Sequence, residues 1–250
     1  MLSRRHLLTA APAVAGSALS VPAVAATPPA EDPGFSVPTD WQFRGPETPI
    51  DATVSESKRG REIARSVDIL RGIPVNATSY EVAKYFEGIN IYNEDCQAYT
   101  EEWQSNKQGP SNPIVVMFHT ITNTQPNKED GVAWCAAFVS FCLLAGRMKS
   151  LWTCWALDYQ HYGANVLNDP RPGDIAVFHN RKTGGGHVAF FVAWDLDRNG
   201  KKVGVRCLGG NQGDRIKTST YTFGKQPELV AIRRPVKAPV IVEKKVCARG

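Results

Sequence analysis

The chain lacks the short motifs that mark common metal and redox sites. It contains no Cys-x-x-Cys pair, so a thioredoxin-like redox site is not indicated. It also has neither a zinc-finger spacing of cysteines and histidines nor a His-Glu-x-x-His motif. The sequence therefore gives no indication of a zinc site or of a thioredoxin-like redox site.

Long hydrophobic runs and a strong charge surplus are also missing from the body of the chain. The longest apolar run after the N-terminus, residues 132–145, is shorter than the roughly 20 residues of a membrane-spanning helix. The net charge of +5 is too small a surplus to indicate a nucleic-acid partner. A content of 42% hydrophobic and 21% charged residues excludes global disorder and a polytopic membrane protein.

Residues 1–26 have the character of an export signal. A charged start precedes an alanine-rich stretch, and Ala-Val-Ala at 23–25 fits a cleavage site. The sequence SRRHLL at 3–8 resembles a twin-arginine signal, and an ordinary secretory signal is the alternative. The stretch holds two prolines and no cysteine at the cleavage point, which argues against a permanent membrane anchor. We expect an exported bacterial protein that is periplasmic or secreted.

The rest of the chain divides into four segments. The first is rich in proline and acidic residues, which is typical of a linker. In the second, apolar residues recur at helical spacing over 57–70, and Thr78 with Glu81 forms a candidate capping box. The segments are a Pro-rich linker at 27–57, a helical N-terminal extension at 58–111, the main domain at 112–236 and a basic tail at 237–250.

The main domain reads as helices followed by an antiparallel sheet. A strong helix is predicted over 132–146, with Gly146 as its C-cap. The strands that follow are separated by turns such as DRNG at 197–200. This order predicts an α+β domain with N-terminal helices packed on an antiparallel β-sheet. The other predicted elements are a helix at 152–162 and strands at 174–179, 187–194, 201–208, 221–223 and 228–233.

Cys135 is the candidate nucleophile because it opens the strong helix. The helix N-terminus offers unpaired amides and a positive dipole end, which lower the pKa of a thiol. The alternative is a buried cysteine that acts as a small apolar residue. Cys142 lies in the middle of the same helix, where it is expected to be buried in the core or in a disulfide.

His187 is the candidate base because it follows three glycines and begins an apolar strand. The glycines remove side chains from the approach to the imidazole. His179 ends the preceding predicted strand and is the rival, whereas His119 and His161 are expected to be structural. Asn211 follows the third strand of the meander, where it would reach His187 if the two strands pair. The alternative is that Asn211 only forms a turn.

Four short segments follow one another in the main domain: WCAAFV at 134–139, RPGDIAVF at 171–178, GHVAF at 186–190 and LGGNQGD at 208–214. In this order they resemble a CHAP-type domain of the NlpC/P60 cysteine peptidase superfamily. The resemblance implies a papain-like core and cleavage of amide bonds in bacterial peptidoglycan without a cofactor. It also implies Cys135 as nucleophile, His187 as base and Asn211 as the orienting residue, whereas Asp174 is expected to be structural.

Two other functions are compatible with these residues. One is a catalytically silent module that binds the cell wall, and the other is a secreted cysteine amidohydrolase or acyltransferase that acts on a different substrate. The extension at 58–111 would pack on the catalytic domain, cover its cleft or bind the wall. Disulfide pairing stays open among Cys96, Cys142, Cys154, Cys207 and Cys247.

Overall fold

The structure, a computed structural model, describes residues 57–104, 109–123 and 129–238. All of these belong to one of two compact units of the chain, Thr39–Gly250. The predicted leader, almost all of the linker, most of the tail and Cys247 lie outside the described residues. Within them, no helix is both long enough and apolar enough to cross a membrane.

The described residues form four α-helices and one 3-10 helix ahead of the main strands, and side-chain caps set where three of the helices begin. Ser57 accepts a hydrogen bond from the backbone N–H of Gly60. Thr78 and Glu81 form the reciprocal capping box that the sequence predicts. Asn112 caps the third helix, whose first residue is a proline. The helices are α1 Lys58–Arg71, α2 Ser79–Glu87, α3 Pro113–Thr120, α4 Cys135–Ala145 and the 3-10 helix Ala156–His161.

Over residues 164–234, six strands form one antiparallel sheet in the order β1-β6-β2-β3-β4-β5. The central hairpin β3–β4 turns through residues 197–201, where the backbone N–H of Asp197 bonds to the carbonyl of Lys201. The predicted α+β class with an antiparallel sheet is confirmed. The strands are β1 Ala164–Asn165, β2 Ile175–His179, β3 Gly186–Leu196, β4 Lys202–Gly209, β5 Lys217–Thr222 and β6 Glu228–Arg234.

The two faces of the sheet contribute to two separate apolar cores. Val188 and Phe190 of β3 point to the helices, whereas Ala189 and Phe191 point to the other face. Because side chains alternate along a strand, His187 shares the second face with Phe178, which is its partner across β2 and β3. Residues of α4 are buried on all sides except near its C-terminal end, which explains its uniformly apolar sequence.

The helical extension shares its core with α4. Phe86 of α2 packs with its ring centroid 6.0 Å from that of Phe138 and 5.8 Å from that of Phe141, both on α4. The ring of Phe118 on α3 completes this group, 5.3 Å from Phe86. Three roles were considered for residues 58–111. The structure shows one of them directly, which is packing against the main domain.

The segment predicted as a helix over 152–162 forms only a short 3-10 helix, Ala156–His161. Trp152 has a φ of 55°, in the left-handed region that a bulky residue rarely adopts. The Thr153 hydroxyl accepts from the backbone N–H of Trp155 and donates to Asp158. These local bonds compete with helical hydrogen bonds.

Two elements, α3 and β1, were not predicted at all.

Candidate active site

Cys135 is the first residue of α4, as the sequence predicts, and its thiol lies against β3. Backbone groups of Val188, Ala136 and Cys135 itself hydrogen-bond to the sulfur. Val188 directly follows His187 in the chain, so the thiol lies next to the part of β3 that carries the imidazole. The residue is buried, with only 5% of its surface exposed.

The thiol of Cys135 has a raised pKa, contrary to the lowered value expected for a helix N-terminus. Burial is the main cause, because it penalises the charged thiolate. The three backbone hydrogen bonds oppose the rise, and the neighbouring Cys154 adds to it. In the resting protein the sulfur is therefore a thiol at neutral pH, and it needs a base to become a nucleophile.

His187 lies in an aromatic cluster on the second face of the sheet. Its ring centroid is 6.1 Å from that of Phe178 and 5.6 Å from that of Tyr221. Burial lowers the pKa of the imidazole to about 4, although a hydrogen bond with Gln212 raises it. The imidazole is therefore neutral at pH 7 and has a lone pair that accepts a proton.

The hydrogen-bond partner of the imidazole is Gln212. His187 Nε2 and Gln212 Oε1 are 3.3 Å apart. The amide nitrogen of Gln212 donates to the backbone carbonyls of Cys207, at 3.2 Å, and of Lys217. Because carbonyls accept only, these bonds determine which end of the amide is nitrogen, so the oxygen faces the imidazole. Nε2 then carries the ring proton, and Nδ1 is left as the basic nitrogen.

Asn211, the predicted orienting residue, lies one position before this partner. Its φ is 54°, a left-handed conformation that asparagine tolerates better than most residues. Within the described residues, its side chain makes no hydrogen bond to the imidazole, and Gln212 occupies that position instead. The sequence signal was present, since both amides stand in the segment GGNQ, but their order alone does not tell which one turns inward.

The predicted nucleophile and base are brought to the same region, but not into a direct bond. No hydrogen bond joins the Cys135 thiol to the His187 imidazole in the ranges that the structure describes. The rival His179 ends β2 opposite Gly186. His161 ends the 3-10 helix, and His119 is buried on α3.

Asp174 has the structural surroundings expected for it. It is 3% exposed, and its carboxylate accepts hydrogen bonds from the backbone N–H of Arg171 and from the guanidinium of Arg234. These bonds tie the turn before β2 to the end of β6.

In the described ranges, Cys96, Cys135, Cys142 and Cys207 are free cysteines. Those ranges also hold no group of three or more His, Cys, Asp or Glu side chains placed to bind a metal ion.

Residues 127–211 match the family model of the CHAP domain. The match contains Cys135 and His187 and ends at Asn211, one residue before Gln212. No curated protein and no solved structure matches the chain. A CHAP-type domain suggests a hydrolase or amidase function directed at peptidoglycan.

Proposed function

We propose that the protein cleaves amide bonds in the stem peptides of peptidoglycan, with Cys135 as the nucleophile and His187 as the base. The observation that carries this proposal is the contact between the Cys135 thiol and the backbone of Val188, next to His187. A thiol at a helix start, in contact with the strand residue that follows a neutral imidazole, provides the two groups that acyl transfer needs. The match to the CHAP domain supports peptidoglycan as the substrate.

The reaction follows from the protonation states of the two groups. His187 takes the proton of the Cys135 thiol as the sulfur attacks the carbonyl carbon of the substrate amide. The imidazolium then gives this proton to the leaving amine, and a thioester remains. In the second half, His187 takes a proton from water, the hydroxide attacks the thioester, and the proton returns to the sulfur. In this mechanism the backbone N–H of Cys135 at the start of α4 is one donor to the oxyanion.

The proposal is tested with purified sacculi and the full mature chain. Wild-type protein should release muropeptide fragments with a new amine and a new carboxylate, and the fragment masses identify the bond. Cys135→Ser should lose this activity while keeping the same circular dichroism spectrum. Cys96→Ser is the control, since Cys96 is an exposed free cysteine that has no part in the proposed mechanism. Undiminished release by Cys135→Ser, or binding to sacculi without any fragments, would refute the hydrolase.

We further propose that the protein is exported through the leader at 1–26. The Ala-Val-Ala sequence at 23–25 supports cleavage after Ala25 or Ala26. N-terminal sequencing of the protein recovered from the cell envelope and the medium tests this. An intact leader on protein that stays in the cytoplasm would contradict it.

A further inference from the structure

A second side chain holds the oxygen of Gln212. The Tyr221 hydroxyl donates a hydrogen bond to Gln212 Oε1, with the two oxygens 2.7 Å apart. The same amide oxygen is the partner of His187 Nε2. A carbonyl oxygen has two lone pairs, so the phenol and the imidazole together use the full acceptor capacity of this amide.

The amide of Gln212 is held at both ends in a buried position. The residue is 4% exposed, and its nitrogen donates to backbone carbonyls at the end of β4 and the start of β5. A flipped amide would place its oxygen against those carbonyls and its N–H₂ group against the Tyr221 hydroxyl and the imidazole. Losing several buried hydrogen bonds at once is costly. The orientation of the amide is thereby fixed.

Tyr221 is itself held in place by the aromatic cluster. Its ring centroid is 4.3 Å from that of Phe178 and 5.6 Å from that of His187. Burial raises the pKa of the phenol well above its ordinary value, so the hydroxyl stays protonated and remains a donor. The hydroxyl therefore remains a hydrogen-bond donor to Gln212 at neutral pH.

We propose that Gln212, held by Tyr221, is the positioning residue of the site and keeps His187 in the tautomer whose Nδ1 is free to take the thiol proton. This is the role that the family resemblance implied for Asn211. For catalysis the inference rests on the proposed function, but the tautomer of His187 is a property of the resting protein and can be measured separately.

The tautomer is measured by ¹⁵N NMR on the full chain with labelled histidine imidazoles, at pH 7. Wild-type His187 should show a protonated Nε2 and an unprotonated Nδ1. Asn211→Ala should keep this pattern. Gln212→Met, which has a similar volume and no amide, should shift the signals toward a mixture of the two tautomers. A protonated Nδ1 in the wild-type protein, or a loss of the pattern in Asn211→Ala alone, would overturn the proposal.

Kinetics on sacculi fragments separate positioning from folding. Gln212→Met should lower kcat by about tenfold or more with little change in KM, because an orienting group acts in the transition state. Tyr221→Phe removes one hydroxyl and keeps the ring, so it serves if Gln212→Met fails to fold. It should lower kcat several-fold and move the Nε2 resonance. An unchanged kcat together with an unchanged Nε2 resonance in Tyr221→Phe would show that Tyr221 does not hold Gln212 in its positioning role. A wild-type protein without activity would defeat the proposed function, and the NMR result would still decide the tautomer.

Discussion

The backbone of Val188 hydrogen-bonds to the thiol of Cys135, which joins the start of α4 to the start of β3. The position of the sulfur therefore depends on how the helix packs against the sheet. Because β3 continues into the buried Phe190 and Phe191, its path is determined by both apolar cores. The thiol is thus placed by a helix and a strand, whereas Gln212, which contacts the imidazole, comes from the loop between β4 and β5.

The raised pKa of Cys135 predicts slow alkylation at neutral pH. Burial disfavours the thiolate, so the reactive fraction should grow about tenfold for each pH unit until the pKa is reached. The alkylation rate with iodoacetamide should therefore rise without a plateau from pH 6 to 8.5, as followed by mass spectrometry in a Cys96→Ser background. A plateau below pH 7 would show instead that the resting enzyme holds a thiolate.

The lowered pKa of His187 predicts an acid limit of activity well below the ordinary range of histidine. The imidazole accepts the thiol proton only when it is neutral, and burial keeps it neutral down to a pKa of about 4. The value of kcat/KM should therefore change little through pH 6.5 and fall as the pH approaches about 4. Thermal unfolding at each pH must accompany this profile, because acid also destabilises folded proteins. A midpoint near pH 6.5 in a fully folded enzyme would contradict the burial of this group.

The raised pKa of Glu102 predicts that its contribution to stability is lost as the pH rises, not as it falls. Burial, together with the charges of Asp214 and Asp130, raises its pKa from 4.5 to about 7. The folded state therefore binds more protons than the unfolded state between these values. This contribution to stability is complete below pH 4.5 and is lost as the pH rises through about 7.

Removing the charge of Glu102 should accordingly stabilise the folded protein most at high pH. The free energy of unfolding of Glu102→Gln, minus that of the wild type, should increase by about 1–3 kcal/mol from pH 4.5 to pH 8. Urea denaturation at the two pH values measures this difference. Glu87→Gln, at an exposed end of α2, is the control. An equal pH response in the two variants would mean that Glu102 is solvated in the protein.

The strands and the strong helix could be predicted because each carries its own pattern. The apolar run of β3 and the uniformly apolar α4 need no knowledge of distant residues to be recognised. The beginning of α3 could not be predicted in this way. Asn112, which caps it, is held by donating its side-chain amide to the carbonyls of Tyr99 and Glu101, more than ten residues earlier. Such a long-range contact leaves no local pattern.

The same limit explains why the sequence indicated Asn211, and not Gln212, as the hydrogen-bond partner of His187. Both residues are amides, and a choice between them requires the path of the loop. That path follows from Gly210, which packs under Trp134 of the segment before α4. The proposed nucleophile and base were recognisable from their positions in a helix and a strand, but the imidazole's partner depends on a contact between distant segments. The lowered thiol pKa was wrong for a similar reason, since sequence does not show how deeply Cys135 is buried.

This packing at Gly210 predicts that a single methyl group should disturb the site. A Cβ at position 210 would overlap the ring of Trp134 and lie 2.8 Å from the Cβ of Phe138. Trp134 is fully buried and directly precedes Cys135, so its ring has no room to move, and the loop that carries Gln212 has to shift. Gly210→Ala should therefore lower the free energy of unfolding by about 1–3 kcal/mol and reduce kcat.

Gly88→Ala separates this effect from the general cost of replacing a glycine. A Cβ there would lie 3.5 Å from the carbonyl of Lys84, an ordinary contact, and the residue follows α2 with a φ of −80°. This variant should keep both stability and activity near the wild-type values. The ¹⁵N resonances of His187 should change in Gly210→Ala and remain in Gly88→Ala, because only the first substitution moves Gln212. If Gly210→Ala lost stability but kept kcat and the imidazole resonances, the loop would not be the element that places the hydrogen-bond partner of His187.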